Sequence, residues 1–286
     1  MAIQMRRNSF VVVLAVCCIF SSTGCEQPVT KTILYDLDNK ALNAMQDAGI
    51  DKSELVESLT SSMQHRLGSA GRVHRLKNGQ IQVDLTGNLN PKQLAAIKRL
   101  ISAPGIFEFR ILASPVAASD QDVVEQATKL TPEEKELRVG GEIAAKWITG
   151  LDSQQGPPDL VVHRQEGDVS ETLVLIDPLH VTGEYFTSVK KSPGQAPSHA
   201  GLRLTLNPKG SQLLQKLTTD NLPTTAGERH ALALILDGKI IASPTINAAM
   251  SDNIILEGLP TEEVDALITI LNEGTLPLPI REVSKP

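Results

Sequence analysis

The residues "GRVHRLKNGQIQVDLTG" (71–87) predict a β-hairpin, and the interpretation of the fold begins from this element. Two stretches that alternate apolar and polar residues flank Asn78-Gly79. This pair favours a tight turn between antiparallel strands. We therefore interpret Asn78 and Gly79 as structural turn residues.

Helices and strands on both sides of the hairpin complete an α+β pattern. Asp51 and Glu54 predict a helix that starts with a capping box and ends at Gly68, and Asn90-Pro91 predicts a second helix start. Alternating strands are predicted at 32–38 and 105–113. The resulting order, strand–helix–strand–strand–helix–strand, is typical of a ferredoxin-like sheet. Residues 33–113 are therefore predicted to form the first part of a ferredoxin-like base subdomain.

The rest of the chain predicts a second unit and a return to the first. Residues 114–258 contain a polar region followed by further strands and a helix, which indicates an inserted α+β head subdomain. A last helix from Thr261 and a proline-marked extended run, within 259–286, are expected to rejoin the base. The predicted fold class is thus α+β, with a ferredoxin-like base and an inserted head.

One turn in the head raises the question of catalysis. "ALALILDGKIIASPTI" (231–246) reads as two apolar strands around Asp237-Gly238, a pair that suits a type I′ turn because both positions need positive φ. The alternative is a catalytic aspartate, but the sequence supplies no acid or base partner. We interpret Asp237 and Gly238 as structural turn residues.

The N-terminus predicts export. Arg6 and Arg7 precede an apolar run at 10–20, and small residues lead to Cys25, so residues 1–25 are typical of a secretory signal. The apolar run is shorter than the roughly 20 residues that span a bilayer. The ending "STGC" resembles a bacterial lipobox, so Cys25 is a candidate lipid anchor followed by a tether at 26–32; a plain cleaved signal is the alternative. We expect the mature chain on the periplasmic side of a bacterial membrane.

Composition excludes several kinds of site. The three cysteines all lie within the first 25 residues, so the remainder offers neither disulfides nor thiolate metal ligands. Aromatic residues make up 3% of the chain and its net charge is −6, which argues against nucleic-acid binding. The histidines lack metal-ligand spacing, and we predict no metal, no cofactor and no enzymatic activity. They are His65, His74, His163, His180, His199 and His230.

An ordered series of segments resembles a known family. "GQIQVDLTG", "GIFEFRIL", "VTGEYF", "LNPKGSQLLQKLT", "ALALILDGKIIASPTI" and "EEVDALITILNEGTLPLPI" occur in the order found in the large extracytoplasmic domain of SecD, an accessory subunit of the bacterial Sec export machinery. The resemblance covers roughly residues 33–283. It implies a base, an inserted head that contacts polypeptide leaving the channel, and a proton-conducting membrane half. Because this chain ends at Pro286, the membrane half is expected to be missing and the chain is not expected to pump by itself.

The resemblance leads to two functional hypotheses. In the first, the chain is a non-catalytic, membrane-anchored module that binds or guides exported polypeptide, with Sec translocon membrane subunits as further partners. In the second, it is a structural or interaction lipoprotein that kept the fold without an export role. The peptide-binding surface is unknown from sequence. The stretch Lys190–Ala200 is either a surface loop or the flank of a sheet edge that accepts an extended peptide.

Overall fold

Three β-sheets and six α-helices make up the described chain. The structure is a computed structural model that describes residues 29–150, 160–193, 199–224 and 227–283. Within these ranges, no helix is both long and apolar enough to cross a membrane.

The first sheet and three helices form a unit that we call the base. The strand order is β15-β1-β3-β2, and all neighbours are antiparallel. The strands are β1 (Val29–Leu37), β2 (Gly71–Arg75), β3 (Ile81–Thr86) and β15 (Ile280–Val283). The helices are α1 (Asn39–Asp47), α2 (Lys52–Leu67) and α3 (Pro91–Ser102), whose apolar side chains pack with those of β1 and β3 in one core.

The predicted caps explain where the base helices begin. The Asp51 carboxylate accepts hydrogen bonds from the amides of Ser53 and Glu54, and α2 follows. Asn90 and Gln93 form a reciprocal capping box at the start of α3. The apolar side chains predicted along α2 are all buried: Leu55, Val56, Leu59, Met63 and Leu67.

The second sheet closes into a five-stranded ring. Its order is β5-β6-β13-β12-β4-β8-β7, with β9 paired to β4, and an extra pairing of β6 with β8 completes the ring. The ring strands are β4 (Phe107–Leu112), β6 (Glu142–Thr149), β8 (Val169–Leu175), β12 (Ala231–Leu236) and β13 (Lys239–Ala242). Outside it lie β5 (Glu136–Val139), β7 (His163–Glu166), β9 (Val181–Thr182) and helix α4 (Gln121–Ala127).

Strand β12 is buried on both faces and links the ring to the third sheet. Its small residues Ala231 and Ala233 belong to one core, together with Ile235, whereas Leu232, Leu234 and Leu236 belong to another. The second of these cores includes the third sheet, whose order is β10-β11-β14. These strands are β10 (Phe186–Pro193), β11 (His199–Leu206) and β14 (Asn253–Pro260), and they pack with α5 (Pro208–Thr219) and α6 (Thr261–Glu273). We call β4–β14 with α4–α6 the head.

Two elements lie elsewhere than predicted. The strand at 105–113, expected in the base, forms β4 of the ring, because it pairs with β12 along its full length. Its place beside β1 is taken by β15, which completes the ferredoxin-like strand order. The last helix, expected to return to the base, buries Val264, Leu267 and Leu271 in the head core, so within 259–286 it is the strand that rejoins the first sheet.

Candidate functional site

A cleft of about 710 Å³ lies between the ring and the third sheet. One wall is formed by β13 and the residues that follow it, from Lys239 to Pro244. The other wall is β14, which contributes Ile255 and Leu259. Arg99 of α3 and Glu263 of α6 also line the cleft, so the base and the head both contribute to it. This volume is in the usual range of protein ligand sites.

The wall formed by β14 is an open sheet edge. Hydrogen-bonding direction alternates along an antiparallel strand, and the Leu206 amide donates to the Asp252 carbonyl at 2.8 Å. One and three residues further on, this alternation directs the backbone N–H and C=O of Asn253 and Ile255 away from β11. In the described chain β14 is the last strand of the sheet order β10-β11-β14, and the side chain of Ile255 is 44% exposed. An extended chain could therefore pair with β14 here.

The opposite edge of the same sheet is closed. On β10, the Val189 amide donates to Asn272 Oδ1 at 3.3 Å, and Asn272 Nδ2 donates to the Val189 carbonyl at 3.0 Å. Lys190 and Lys191 follow on this strand, and Lys191 pairs with Asp265. Side-chain caps and lysines are common means of protecting an edge from further pairing. The sheet is thus guarded at β10 and open at β14.

The chemistry of the cleft suits a polypeptide backbone. Ile241, Ala242 and Ile255 supply apolar surface beside the open edge, and the Ser243 hydroxyl is buried without a hydrogen-bond partner in the described chain. Both charge signs are present, and Arg99 lies 3.5 Å from Glu263. A cleft without one dominant charge favours an extended chain held by main-chain hydrogen bonds over a single ionic ligand.

The Asp237-Gly238 turn lies at the junction of head and base. Both residues have positive φ, 51° and 74°, as a type I′ turn requires. Asp237 also exchanges two hydrogen bonds with Ile106: its carboxylate accepts from the Ile106 amide at 2.8 Å, and its amide donates to the Ile106 carbonyl at 2.8 Å. Burial raises the pKa of the Asp237 carboxyl, although the amides of Ile106 and Gly105 and nearby guanidinium groups favour its ionised form. These long-range contacts were not foreseen from the sequence.

The other predicted positions are distributed over the molecule. Asn78 and Gly79 lie between β2 and β3, where the Gly79 amide donates to the Leu76 carbonyl and only Gly79 of the pair has positive φ. Cys25 and residues 26–28 of the tether lie outside the described residues, as do 194–198 of the Lys190–Ala200 stretch. The tether prediction is wrong at 29–32, because these residues pair with β3 as the start of β1. The rest of that stretch belongs to the β10–β11 hairpin, whose outer edge is the guarded one.

The described histidines do not form a metal site. His65, His74, His180 and His230 each lie near one carboxylate, and no group of three metal-ligating side chains occurs in the described ranges. The pair His230–Asp120 is buried, with 3.2 Å between Nε2 and Oδ2. Its neighbour Ser114 donates its backbone amide to Asp120, and its hydroxyl makes no hydrogen bond within the described chain. Because no nucleophile is hydrogen-bonded to this histidine, we interpret the pair as structural.

Comparison with known proteins identifies the fold and its relatives. A family model, the SecDF P1 head subdomain, matches residues 158–278. Protein translocase subunit SecDF of Thermus thermophilus is 24% identical over 280 residues, which are 95% of this chain and 33% of that protein. SecD of Rickettsia conorii is 30% identical over 105 residues, 36% of this chain and 19% of that protein. The chain therefore spans about a third or less of the length of these relatives.

Two solved structures of SecDF share the architecture. The first, of a membrane component SecDF that enhances protein export, has a TM-score of 0.51 at 20% identity and covers 90% of this chain and 99% of its own. The second, SecDF in a super-membrane-facing form, has a TM-score of 0.52 at 21% identity and covers 88% of this chain and 29% of its own. At these identities the likeness shows the fold. The predicted resemblance and the α+β fold class are confirmed: the chain is similar over most of its length to the large extracytoplasmic domain of SecD and SecDF, and residues 158–278 match the SecDF P1 head subdomain.

Proposed function

We propose that this chain is a non-catalytic, membrane-anchored module that binds or guides exported polypeptide in Sec-dependent translocation. Its relatives are protein translocase subunits, and one solved relative is described as enhancing protein export. The observation that carries the proposal is the open edge of β14 inside a cleft of the head. Main-chain hydrogen bonds at such an edge tolerate many sequences, as exported chains require.

The partners follow from this role. Unfolded or emerging polypeptide occupies the cleft, and Sec translocon membrane subunits supply the energy. Lipidation of Cys25 on the periplasmic side holds the module at the membrane through the residues between Cys25 and β1. The intact mass of the mature protein tests the anchor: a diacylglycerol-modified Cys25 as first residue supports it, and an unmodified new N-terminus contradicts it.

Crosslinking in cells tests the polypeptide partner. A photo-crosslinking amino acid at Ile255, on the open edge, is expected to trap exported chains in transit. The same amino acid at Lys191, on the guarded edge, is the matched control and is expected to trap far fewer. Equal trapping at both positions, or none at Ile255, would contradict the proposed site.

The alternative is a structural or interaction lipoprotein that has this fold but no export role. Deleting the gene separates the two functions. The export role predicts slower secretion of reporter proteins, restored by the wild-type gene and not by Ile255→Pro. The alternative predicts unchanged secretion.

A further inference from the structure

The chain passes between base and head at two adjacent segments. One segment leaves α3 through Pro104 and Gly105, and the other leaves α6 through Gly274 and Thr275. They are joined to each other, since the Leu276 amide donates to the Pro104 carbonyl at 2.7 Å and the Thr275 hydroxyl to the Gly105 carbonyl at 3.4 Å. Each segment contains a glycine with positive φ, 81° at Gly105 and 71° at Gly274. The two connections therefore form one crossing point.

Arg66 of α2 is buried at this crossing. Its side chain is among the largest that are fully buried, and the residue is 2% exposed. Nη1 donates to the carbonyl of Ala103 at the end of α3, and Nη2 donates to the carbonyl of Gly274 at the end of α6, at 2.7 Å. The guanidinium thus binds both connections at once. A cation at the carboxyl ends of two helices also interacts favourably with their dipoles.

The packing around this guanidinium leaves no spare room. A Cβ at Gly105 would lie 2.8 Å from Arg66 Nη2 and 2.9 Å from the Gly274 carbonyl oxygen. Glycine at 105 is therefore required both by its φ and by the close approach of Arg66. Arg66 Nε is buried without a partner among the described residues, so the hydrogen bonds of this side chain are those of Nη1 and Nη2; Nη1 also donates to the Leu100 carbonyl of α3 at 3.5 Å.

The other polar ties between the base helices and α6 are weaker. They join exposed or half-exposed side chains: a hydrogen bond between His65 and Glu273, and ion pairs of Lys92 with Glu262 and of Arg99 with Glu263. Pairs of this kind contribute little to stability, because water screens them. Arg66 differs from them because it is buried and holds main-chain carbonyls.

We propose that Arg66 is a pin that fixes the angle between head and base and thereby fixes where Arg99 of the base lies at the β13–β14 cleft of the head. The cleft walls β13 and β14 both belong to the head, whereas Arg99 belongs to the base, so a change in this angle moves Arg99 relative to the two walls. The effect on polypeptide binding rests on the proposed function, but the pin itself does not.

Distance measurements between base and head test the pin. Spin labels are placed at the exposed positions Lys77 in the base and Asp168 in the head, after replacement of Cys17, Cys18 and Cys25 by serine. Arg66→Met keeps an apolar stem of similar length and removes both Nη contacts. We expect the distance distribution to become at least twice as broad. Arg99→Met, which removes a neighbouring exposed cation, is the matched control. We expect its distance distribution to be as narrow as that of wild type.

Hydrogen exchange distinguishes a released pin from unfolding. In Arg66→Met the amides of Ile106 and Leu276 should exchange at least tenfold faster, with β3 and β12 unchanged. A folded Arg66→Met protein with a wild-type distance distribution and wild-type exchange at the crossing overturns the proposal. If Arg66→Met unfolds, Gly105→Ala provides the second test, because its methyl group displaces the guanidinium. A Gly105→Ala protein with the wild-type distance distribution also overturns the proposal. Neither readout involves polypeptide, so a failure of the pin is distinguishable from a failure of the proposed function.

Discussion

Ile106 and Asp237, 131 residues apart, exchange two hydrogen bonds of 2.8 Å that join the start of β4 to the β12–β13 turn. The turn is a local structure, but its carboxylate is partly buried at the junction of head and base. The raised pKa of Asp237 follows from that burial. An aspartate selected only for its turn conformation would not need this contact.

Replacement of Asp237 by asparagine tests this burial. A raised pKa means that the folded protein holds the proton more tightly than the unfolded chain does. Asp237 therefore favours folding below about pH 3.9, its unfolded pKa, and this contribution is lost as the pH rises through the folded pKa. Asparagine tolerates positive φ and can still accept from the Ile106 amide. We expect Asp237→Asn to be as stable as wild type or more stable at pH 7, with the difference vanishing in acid.

Thermal unfolding between pH 3 and pH 8 measures this effect. The control is Asp237→Ala, which loses the acceptor and places alanine at positive φ, at a cost of about 1–2 kcal/mol for the backbone alone. An Asp237→Asn protein that is clearly less stable than wild type at pH 7 would show that the ionised carboxylate is needed at this junction.

The buried pair Asp120–His230 predicts the opposite pH dependence. Burial alone would raise the pKa of Asp120, but hydrogen bonds from His230, from the Ser114 amide and from Ser119 lower it below its usual value. The resulting stability is present above about pH 3.9 and is lost as the pH falls through the folded pKa. Asp120→Ala leaves the buried Ser114 amide unpaired and should cost about 1–3 kcal/mol at pH 7.

Urea unfolding of Asp120→Ala and wild type at a series of pH values checks this prediction. The difference in unfolding free energy should shrink as the solution becomes more acidic. Ser119→Ala, which removes only one hydroxyl donor, serves as the control and should cost less. A difference that stays constant down to acid pH would mean that Asp120 is not stabilised as an anion.

Asn272 is predicted to guard the β10 edge. Asn272→Ala removes both hydrogen bonds to Val189 and should cost about 1–3 kcal/mol. It also exposes a second edge, so sedimentation velocity should show more self-association than in wild type. Asn272→Asp keeps the acceptor for the Val189 amide but loses the donor. Its stability and its self-association should therefore lie between those of wild type and Asn272→Ala. Wild-type stability and association in Asn272→Ala would contradict the role of this side chain.

Local signals in the sequence were sufficient for the elements of the base. The caps at Asp51 and Asn90 and the apolar face of α2 depend on contacts within a few residues, and the helices begin where those signals predict. The partner of a strand is a different matter. The alternation of Phe107, Phe109 and Ile111 is compatible with a strand in either sheet. This strand belongs to the ring because it pairs along its full length with β12, which is buried on both faces.

The candidate site depends on contacts that are distant in sequence. Helix α1, the hairpin β5–β6 and strand β14 were not predicted. In β14, "NIILEGLP", a glycine and a proline weaken the strand pattern. The cleft exists because β13, β14 and Arg99 meet in the folded chain. The apolar run Ile254-Ile255-Leu256 is the one local signal that could have indicated the open edge, because successive side chains of a strand face opposite sides and an apolar residue then lies on each face.

Binding of an unfolded polypeptide to the purified protein tests the central claim most directly. Proline at 255 removes an N–H that points away from β11 and blocks the open edge without breaking the sheet, and Lys191→Pro makes the same change on the guarded edge. With a fluorescently labelled, permanently unfolded polypeptide, we predict that wild type and Lys191→Pro bind alike and that Ile255→Pro binds at least tenfold more weakly. Equal binding by a folded Ile255→Pro protein would contradict the account.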